Sequence, residues 1–354
     1  MSLDYKKNLI NKTVLITGGT GSFGNVMAKH ILGHNPKKVI IFSRDEKKQF
    51  DMDNNFNDDR LEFVIGDVRH RQSVEHAMHG VDMVFHAAAL KQVPNCEFFP
   101  IEAIRTNTLG SFNVINAAVD KGVESLVLLS TDKAVHPINV MGMSKALAER
   151  TLASISNHPT RCSTKLSCTR YGNVMYTRGS VIPFFISQMK AGKPLTVTNR
   201  AMTRFMMSLD DSVNLVLYAL TQGKKGEVYV CKSPAATVGD LAQALVELFK
   251  YKKKIIETGI RPGEKIHETL ISPEEAIRAV DRGDYYEILP ESVDTDIKKY
   301  YQGKYTNGIP AEGYTSANTT RLTVGEIKKL LLSLSGVRQE LKSFNKNGSD
   351  RRKT

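Results

Sequence analysis

Residues Thr13-Val-Leu-Ile-Thr17-Gly18-Gly19-Thr20-Gly21-Ser22-Phe23-Gly24 decide how this chain folds. Five β-branched or apolar residues run into glycines at positions 18, 21 and 24, and a helical pattern follows to about Leu32. The stretch predicts a buried strand, a tight turn and a helix. Gly18 lets the backbone turn, Gly21 lets it approach a pyrophosphate, and Gly24 lets the helix pack on the strand. The free N–H groups of the helix start favour the anion. Glycine triplets are common in loops; a place between strand and helix makes Gly18, Thr20, Gly21, Ser22, Phe23 and Gly24 candidate contacts to a dinucleotide.

The same rhythm continues along the first half. Val39–Phe42, Leu61–Ile65, Val81–Phe85, Ser125–Leu129 and Lys165–Thr169 read as short strands separated by helices. The fold class expected is α/β: a Rossmann-like, doubly wound parallel sheet with a smaller, interleaved C-terminal substrate lobe. From Tyr171 short elements and polar loops replace the alternation. The expected division is 1–170 for the dinucleotide-binding domain, with a return around 205–232. The substrate-binding lobe takes 171–204 and 233–344, and 345–354 reads as a polar, disordered tail.

Residues at the strand ends carry the chemistry. Ser43-Arg44-Asp45-Glu46-Lys47 closes the second strand; Ser43, Arg44 and Lys47 suit the 2′-phosphate of NADP, while Asp45 keeps NAD open. Gly66-Asp67-Val68 is placed to bracket an adenine. Ala87, Ala88 and Ala89, after His86, offer small side chains where a dinucleotide passes close to backbone. Asn107 can tie down the active-site strand. After the fifth strand come Ser130-Thr131-Asp132-Lys133 and then Met141-Gly-Met-Ser-Lys145 at a helix start. An arbitrary Asp-Lys pair is usually solvated surface; at a strand end in this series it is a candidate acid–base pair.

The composition is that of a globular enzyme, with 41% hydrophobic and 24% charged residues. No apolar run reaches the ~18–20 residues of a membrane helix, and the start lacks the apolar core of a signal peptide. The four cysteines have neither CxxC nor metal spacing. A cytoplasmic protein without membrane insertion or metal is the expectation. The net charge of +12 raises nucleic acid as a partner. Six Lys/Arg against two acids from Arg338 onward account for a third of it, however, and no nucleic-acid motif accompanies the charge.

The glycine turn, Gly66-Asp67-Val68, His86-Ala-Ala-Ala89, Asn107 and Lys145 resemble the extended short-chain dehydrogenase/reductases. Ala89-Leu-Lys-Gln-Val-Pro94, Ser130-Thr-Asp-Lys-Ala134, Arg170-Tyr-Gly-Asn-Val174 and Met202-Thr-Arg-Phe205 resemble, more narrowly, the bacterial inverting UDP-N-acetylglucosamine 4,6-dehydratases of capsule and surface-polysaccharide biosynthesis. One departure from the broad family is informative: Met141 stands where the Tyr of Tyr-x-x-x-Lys acts as acid/base, and a thioether transfers no proton. Methionine at this place also occurs in the 4,6-dehydratases.

The resemblance implies a recycled NADP, oxidation at C4, loss of water across C5 and C6, hydride return to C6 and reprotonation of C5 on the opposite face. The product is UDP-2-acetamido-2,6-dideoxy-β-L-arabino-hexos-4-ulose. It implies Asp132 as acid for the C6 oxygen, Lys133 as base at C5, Thr131 orienting the 4-hydroxyl, Lys145 on the nicotinamide ribose and Met141 packing beside it. It implies substrate contacts from Lys91, Asn173, Arg178, Ser180, Val181, Thr196, Thr198, Arg204, Arg261 and Glu264, and a homo-oligomer, dimer or hexamer. A UDP-hexose 4-epimerase, a retaining 4,6-dehydratase and a non-catalytic NADP-binding sensor are the competing readings.

Overall fold

The computed structural model describes residues 6–158, 162–177, 179–290 and 309–350. Thr13–Thr17 (β1) is buried along its whole length, as expected of a strand covered on both faces. With Lys38–Ser43 (β2), Leu61–Ile65 (β3), Met83–His86 (β4), Ser125–Leu129 (β5) and Lys165–Arg170 (β6) it forms the body of a nine-stranded sheet. The order is β3-β2-β1-β4-β5-β6, then Val228–Cys231, Tyr285–Ile288 and Ala279–Asp281. The pairings from β3 through Val228–Cys231 are parallel, and the last two pairings are antiparallel. The order reverses between β1 and β4, which makes the carboxyl ends of these two strands the ligand-binding crevice of such a sheet.

Helices Gly110–Asp120 and Val140–Ser156 contribute Val114, Ile115, Ala118, Ala148 and Leu152 to a core shared with Leu15, Ile40, Val84, Leu126 and Leu166 of the sheet. Helices Ser22–Leu32 and Leu209–Gln222 pack on each other and on the sheet.

The chain divides into two compact units. The first holds the described residues of Met1–Tyr171, Leu209–Lys232 and Thr269–Tyr314; the second holds those of Gly172–Ser208, Ser233–Glu268 and Thr315–Thr354. This corrects the division expected from sequence, which assigned all of 233–344 to the substrate lobe. Tyr285–Ile288 pairs with Val228–Cys231, so backbone hydrogen bonds draw that segment into the main sheet. The second unit has its own core, in which Phe185, Ile186, Leu195, Leu245, Ile327 and Leu331 are buried.

Helix Ser335–Asp350 corrects a second expectation, since it continues through most of the stretch read as a disordered tail. Leu341 and Phe344 pack on the second unit's core and anchor it; helix then propagates at little cost beyond the anchored turn.

Candidate active site

The glycine turn has the shape its sequence promised. Gly18 sits at φ +68°, and a Cβ there would lie 2.8 Å from the Ala88 Cα. At Gly24 a Cβ would lie 2.3 Å from the Gly19 carbonyl oxygen. Gly21 and Ser22 are exposed, and the helix Ser22–Leu32 begins with no side-chain cap. Its first N–H groups are therefore left for an anion. The Phe23 ring lies against Phe85 (centroids 5.4 Å) and Tyr171 (5.8 Å), which leaves its backbone N–H for the anion.

At the end of β2, Ser43 Oγ bonds Thr20 Oγ1 (2.8 Å), tying the two loops together. The Asp45 carboxylate caps the next helix by accepting from Lys48 N and pairs with the Lys48 amine. Arg44 is 54% exposed, and its contact to Asp67 is long at 3.5 Å. Lys47 pairs with Asp51 one turn on, at 2.9 Å. Asp67 is engaged by Arg69 at 2.6 Å; burial works against its ionised form, but the Arg69 pair prevails and lowers its pKa. Val68 is a core residue whose side chain packs close to Gly110, and its backbone carbonyl accepts from Asn113.

Sequence reasoning missed the polar chain under Ala87–Ala89. Ser111 Oγ donates to the Asn107 carbonyl (2.6 Å) and so accepts from His86 Nε2 (2.9 Å). His86 Nδ1 then accepts from Thr17 Oγ1 (2.6 Å), which accepts from Ala88 N (3.3 Å). Burial, and after it the charge of Lys145, lowers the His86 pKa to about 3 and keeps the ring neutral. Asn107 lies in a π-helical turn, Ile104–Leu109, a distortion frequent at functional sites. Its side chain bonds Leu90 N and O and Ser144 Oγ. It therefore ties the loop after β4 to the helix of Lys145, rather than the strand β5.

Asp132 is 1% exposed. Its Oδ1 accepts from Thr131 Oγ1 (2.8 Å) and Lys133 Nζ (3.0 Å), while Oδ2 is buried without a partner. A carboxylate oxygen left unsatisfied in a protein interior costs stability, and a catalytic role is one reason for a protein to keep it. Backbone bonds from Ser130 N to Thr169 O (2.8 Å) and from Asp132 N to Tyr171 O (3.2 Å) fix the loop. Lys145 Nζ donates to the Leu129 carbonyl at 2.7 Å. Met141 packs in a small apolar cluster with Cys96 and Ala103, so it is a packing residue with no proton to give.

Burial pulls the Lys145 pKa from 10.5 to about 8, against Cys168 and Glu149, which hold it up. Between these two values the unfolded chain binds the proton and the folded chain does not, so stability rises with pH across that window. The cost of keeping Lys145 charged below pH 8 is about 3 kcal/mol. Lys145→Met removes it, and the variant's stability advantage over the parent should shrink by about that amount as the pH climbs from 8 to 10.5. Denaturant titrations of both proteins across the range check this.

The second unit encloses a cavity of about 580 Å³ lined by Asn173, Ser180, Val181, Thr196, Thr198, Arg204, Arg261 and Glu264. Eight of the ten expected substrate residues thus line one cavity. Lys91 lies in the first unit, exposed, and Arg178 lies outside the described residues. Ser180 precedes the helix Val181–Lys190 without capping it, and its Oγ is buried and unpartnered, as is Glu264 Oε2. Thr196 is held by Gln188 through its backbone N–H and its hydroxyl. Arg204 donates to the Thr203 carbonyl (2.8 Å) and lies 3.5 Å from Glu268.

Residues 14–290 match the sequence profile described as polysaccharide biosynthesis protein, and residues 296–338 match its C-terminal counterpart. The chain belongs to this family. Among polysaccharide biosynthesis proteins and their relatives, it is 52% identical over 338 residues to proteins named UDP-glucose 4-epimerase from Rickettsia canadensis and Rickettsia prowazekii, covering 94% of this chain and 99% of each. The solved structure of Pen from Bacillus thuringiensis is 36% identical with a TM-score of 0.84, covering 92% of this chain and 98% of Pen. DesIV, a dTDP-glucose 4,6-dehydratase from Streptomyces venezuelae with NAD and TYD bound, shares the fold at 23% identity and a TM-score of 0.65, over 72% of this chain and 86% of DesIV.

Proposed function

We propose that this polysaccharide biosynthesis protein is an NADP-dependent UDP-N-acetylglucosamine 4,6-dehydratase that inverts C5. The observation that carries the reading is Asp132, with one engaged and one free carboxylate oxygen, bonded to Lys133. With it goes the apolar Met141 four residues before Lys145. Both an epimerase and a dehydratase need an acid/base for the 4-hydroxyl, which Met141 does not supply; the dehydratase alone needs in addition an acid for O6 and a base for C5, which Asp132 and Lys133 suit.

The glycine cradle and the uncapped helix fit a dinucleotide, held by Gly18, Thr20, Gly21, Ser22, Ser43 and Arg44. When bound, the nicotinamide supplies reversible hydride transfer at C4 and C6 of the sugar. Lys145 supplies positive potential near the ribose. The elimination calls for an acid and a base side by side, and Asp132 and Lys133 stand 3.0 Å apart. Thr131 orients the 4-hydroxyl, whose proton leaves to water as C4 is oxidised; Lys133 then takes the C5 proton, Asp132 protonates O6, and water leaves with formation of the C5–C6 double bond. With C6 reduced, a proton delivered from water to the opposite face of C5 would complete the inversion. Arg204, Arg261, the end of helix Val181–Lys190 and Ser180 suit a diphosphate, and Glu264 suits a ribose hydroxyl.

Asp45 is engaged as a cap with Lys48, and Arg44 is half exposed; together they favour a 2′-phosphate over a free 2′-hydroxyl. Arg44→Ala is therefore expected to weaken NADP binding about 10- to 100-fold and to leave NAD binding nearly unchanged. Calorimetric titration of cofactor-free protein with each dinucleotide checks it.

The second reading, a UDP-hexose 4-epimerase, is favoured by the name of the 52% identical relatives. Proton NMR with UDP-N-acetylglucosamine in D₂O separates the two. A C6 methyl signal with deuterium at C5 establishes the dehydratase, and ring coupling constants give the configuration at C5. A C4 epimer with the 6-CH₂OH intact establishes the epimerase.

A further inference from the structure

Arg170 ends β6 with a guanidinium that is 5% exposed. Its Nε and Nη2 engage Glu149, with bonds of 2.9 and 2.6 Å. Nη1 and Nη2 engage Glu275 at 2.7 and 2.8 Å, and Nη1 also donates to the Leu270 carbonyl at 3.2 Å. All five donors of the fork are thereby used, on partners 21, 100 and 105 residues away. The residues flanking Arg170 are Thr169 and Tyr171, whose carbonyls hold Ser130 and Asp132. Glu149 lies one turn after Lys145 on the same helix, and Glu275 closes the capping box of Pro273–Ala276.

Two buried carboxylates face one guanidinium here. Arg278 stands 4.0 Å from Glu275 and offsets part of the surplus there. Glu149 pairs with Arg170 at 2.6 Å and lies one turn from Lys145 along the helix. The other titratable groups acting on Lys145 or felt from it are Cys168 on β6 and His86 on β4.

We propose that the Arg170–Glu149–Glu275 cluster is the positioning element of this active site. It fixes the Asp132–Lys133 turn against the helix of Lys145, and its Glu149, one turn further along that helix, is the counter-charge to the Lys145 amine. The catalytic half rests on the dehydratase reading; the counter-charge half does not.

The test is the titration of the Lys145 Cε resonance in ¹³C-lysine-labelled protein, assigned by its loss in Lys145→Met. Glu149→Gln keeps the shape and removes the charge, and should move that titration down by about one pH unit or more. Glu275→Gln should move it less, because Glu275 lies on another element and is shared with Arg278. Arg170→Lys, which keeps the charge and loses the fork, should leave the titration within a few tenths of a pH unit while lowering turnover on UDP-N-acetylglucosamine at least tenfold. An unmoved Lys145 titration in Glu149→Gln, with only the thermal midpoint lowered, overturns the counter-charge role. Full turnover in Arg170→Lys overturns the positioning role. Should the parent protein form no methyl product at all, the dehydratase reading fails while the lysine titration still decides the electrostatics.

Discussion

Asp132→Asn is expected to lower formation of the C6-methyl product by about 10²- to 10⁴-fold, the usual contribution of a positioned general acid. The change is nearly isosteric. Asn keeps an oxygen to accept from Thr131, so the loop held by Thr169 and Tyr171 has no reason to move. It also removes a buried charge with an unpaired oxygen, so the thermal midpoint should hold or rise. What Asn cannot do is protonate the departing O6.

The variant should therefore still exchange the C5 proton of the substrate with D₂O, through Lys133, without eliminating water. Lys133→Met should lose both exchange and elimination. Mass spectrometry of recovered sugar nucleotide counts the deuterium, and NMR counts the methyl groups. Wild-type methyl formation by Asp132→Asn would place the acid elsewhere and remove the main support for the dehydratase reading.

Much of this was legible in the chain because the residues that matter are local. β1, β2 and β5 are short, largely apolar runs buried on both faces, and such runs announce themselves without a partner. The same holds for the glycine turn, whose constraint on Gly18 comes from its own φ and from one neighbour, Ala88. Non-local pairing was not legible. Ala279–Asp281 and Tyr285–Ile288 are three and four residues long and mixed in polarity, and only the hydrogen bonds of Tyr285–Ile288 to Val228–Cys231, and of Ala279–Asp281 to Tyr285–Ile288, make them strands of the main sheet.

Arg170 stood in view as part of Arg170-Tyr-Gly-Asn-Val174, yet nothing in that motif names Glu149 or Glu275. His86 was noted only as the residue before three alanines; its role depends on Thr17 and Ser111, 69 and 25 residues away. Asp45 read as a possible ribose ligand because its competing use, capping the next helix, is a matter of side-chain rotamer. Met141, by contrast, was correctly seen to lack a proton, and its burial beside Cys96 adds only where it packs.

Gly142→Ala is the substitution whose sign separates local propensity from tertiary contact. In a helix interior, alanine is favoured over glycine by about 1 kcal/mol, and on that ground the change should stabilise Val140–Ser156. Here a Cβ would lie 2.1 Å from the Lys133 carbonyl oxygen and 3.2 Å from Pro137 Cβ. The obstacle at Lys133 is backbone, which cannot swing aside as a side chain tip does. The helix start is itself pinned, because Asn139 Oδ1 accepts from Gly142 N at 2.8 Å.

Relief must come from the helix and the Asp132–Ala134 turn moving apart, and that motion carries Lys145 away from Lys133. Overpacking of this kind costs about 1–3 kcal/mol, enough to outweigh the propensity gain, and a misplacement of about 1 Å costs about 10²-fold in rate. Gly142→Ala should therefore lose both stability and turnover. Met143→Ala, one residue on and 48% exposed, should lose little of either. Denaturant unfolding and the methyl-forming rate measure the two effects. A Gly142→Ala protein that is more stable and fully active would mean that the turn and helix do not need their close approach, leaving Lys133 and Lys145 to be positioned by other contacts.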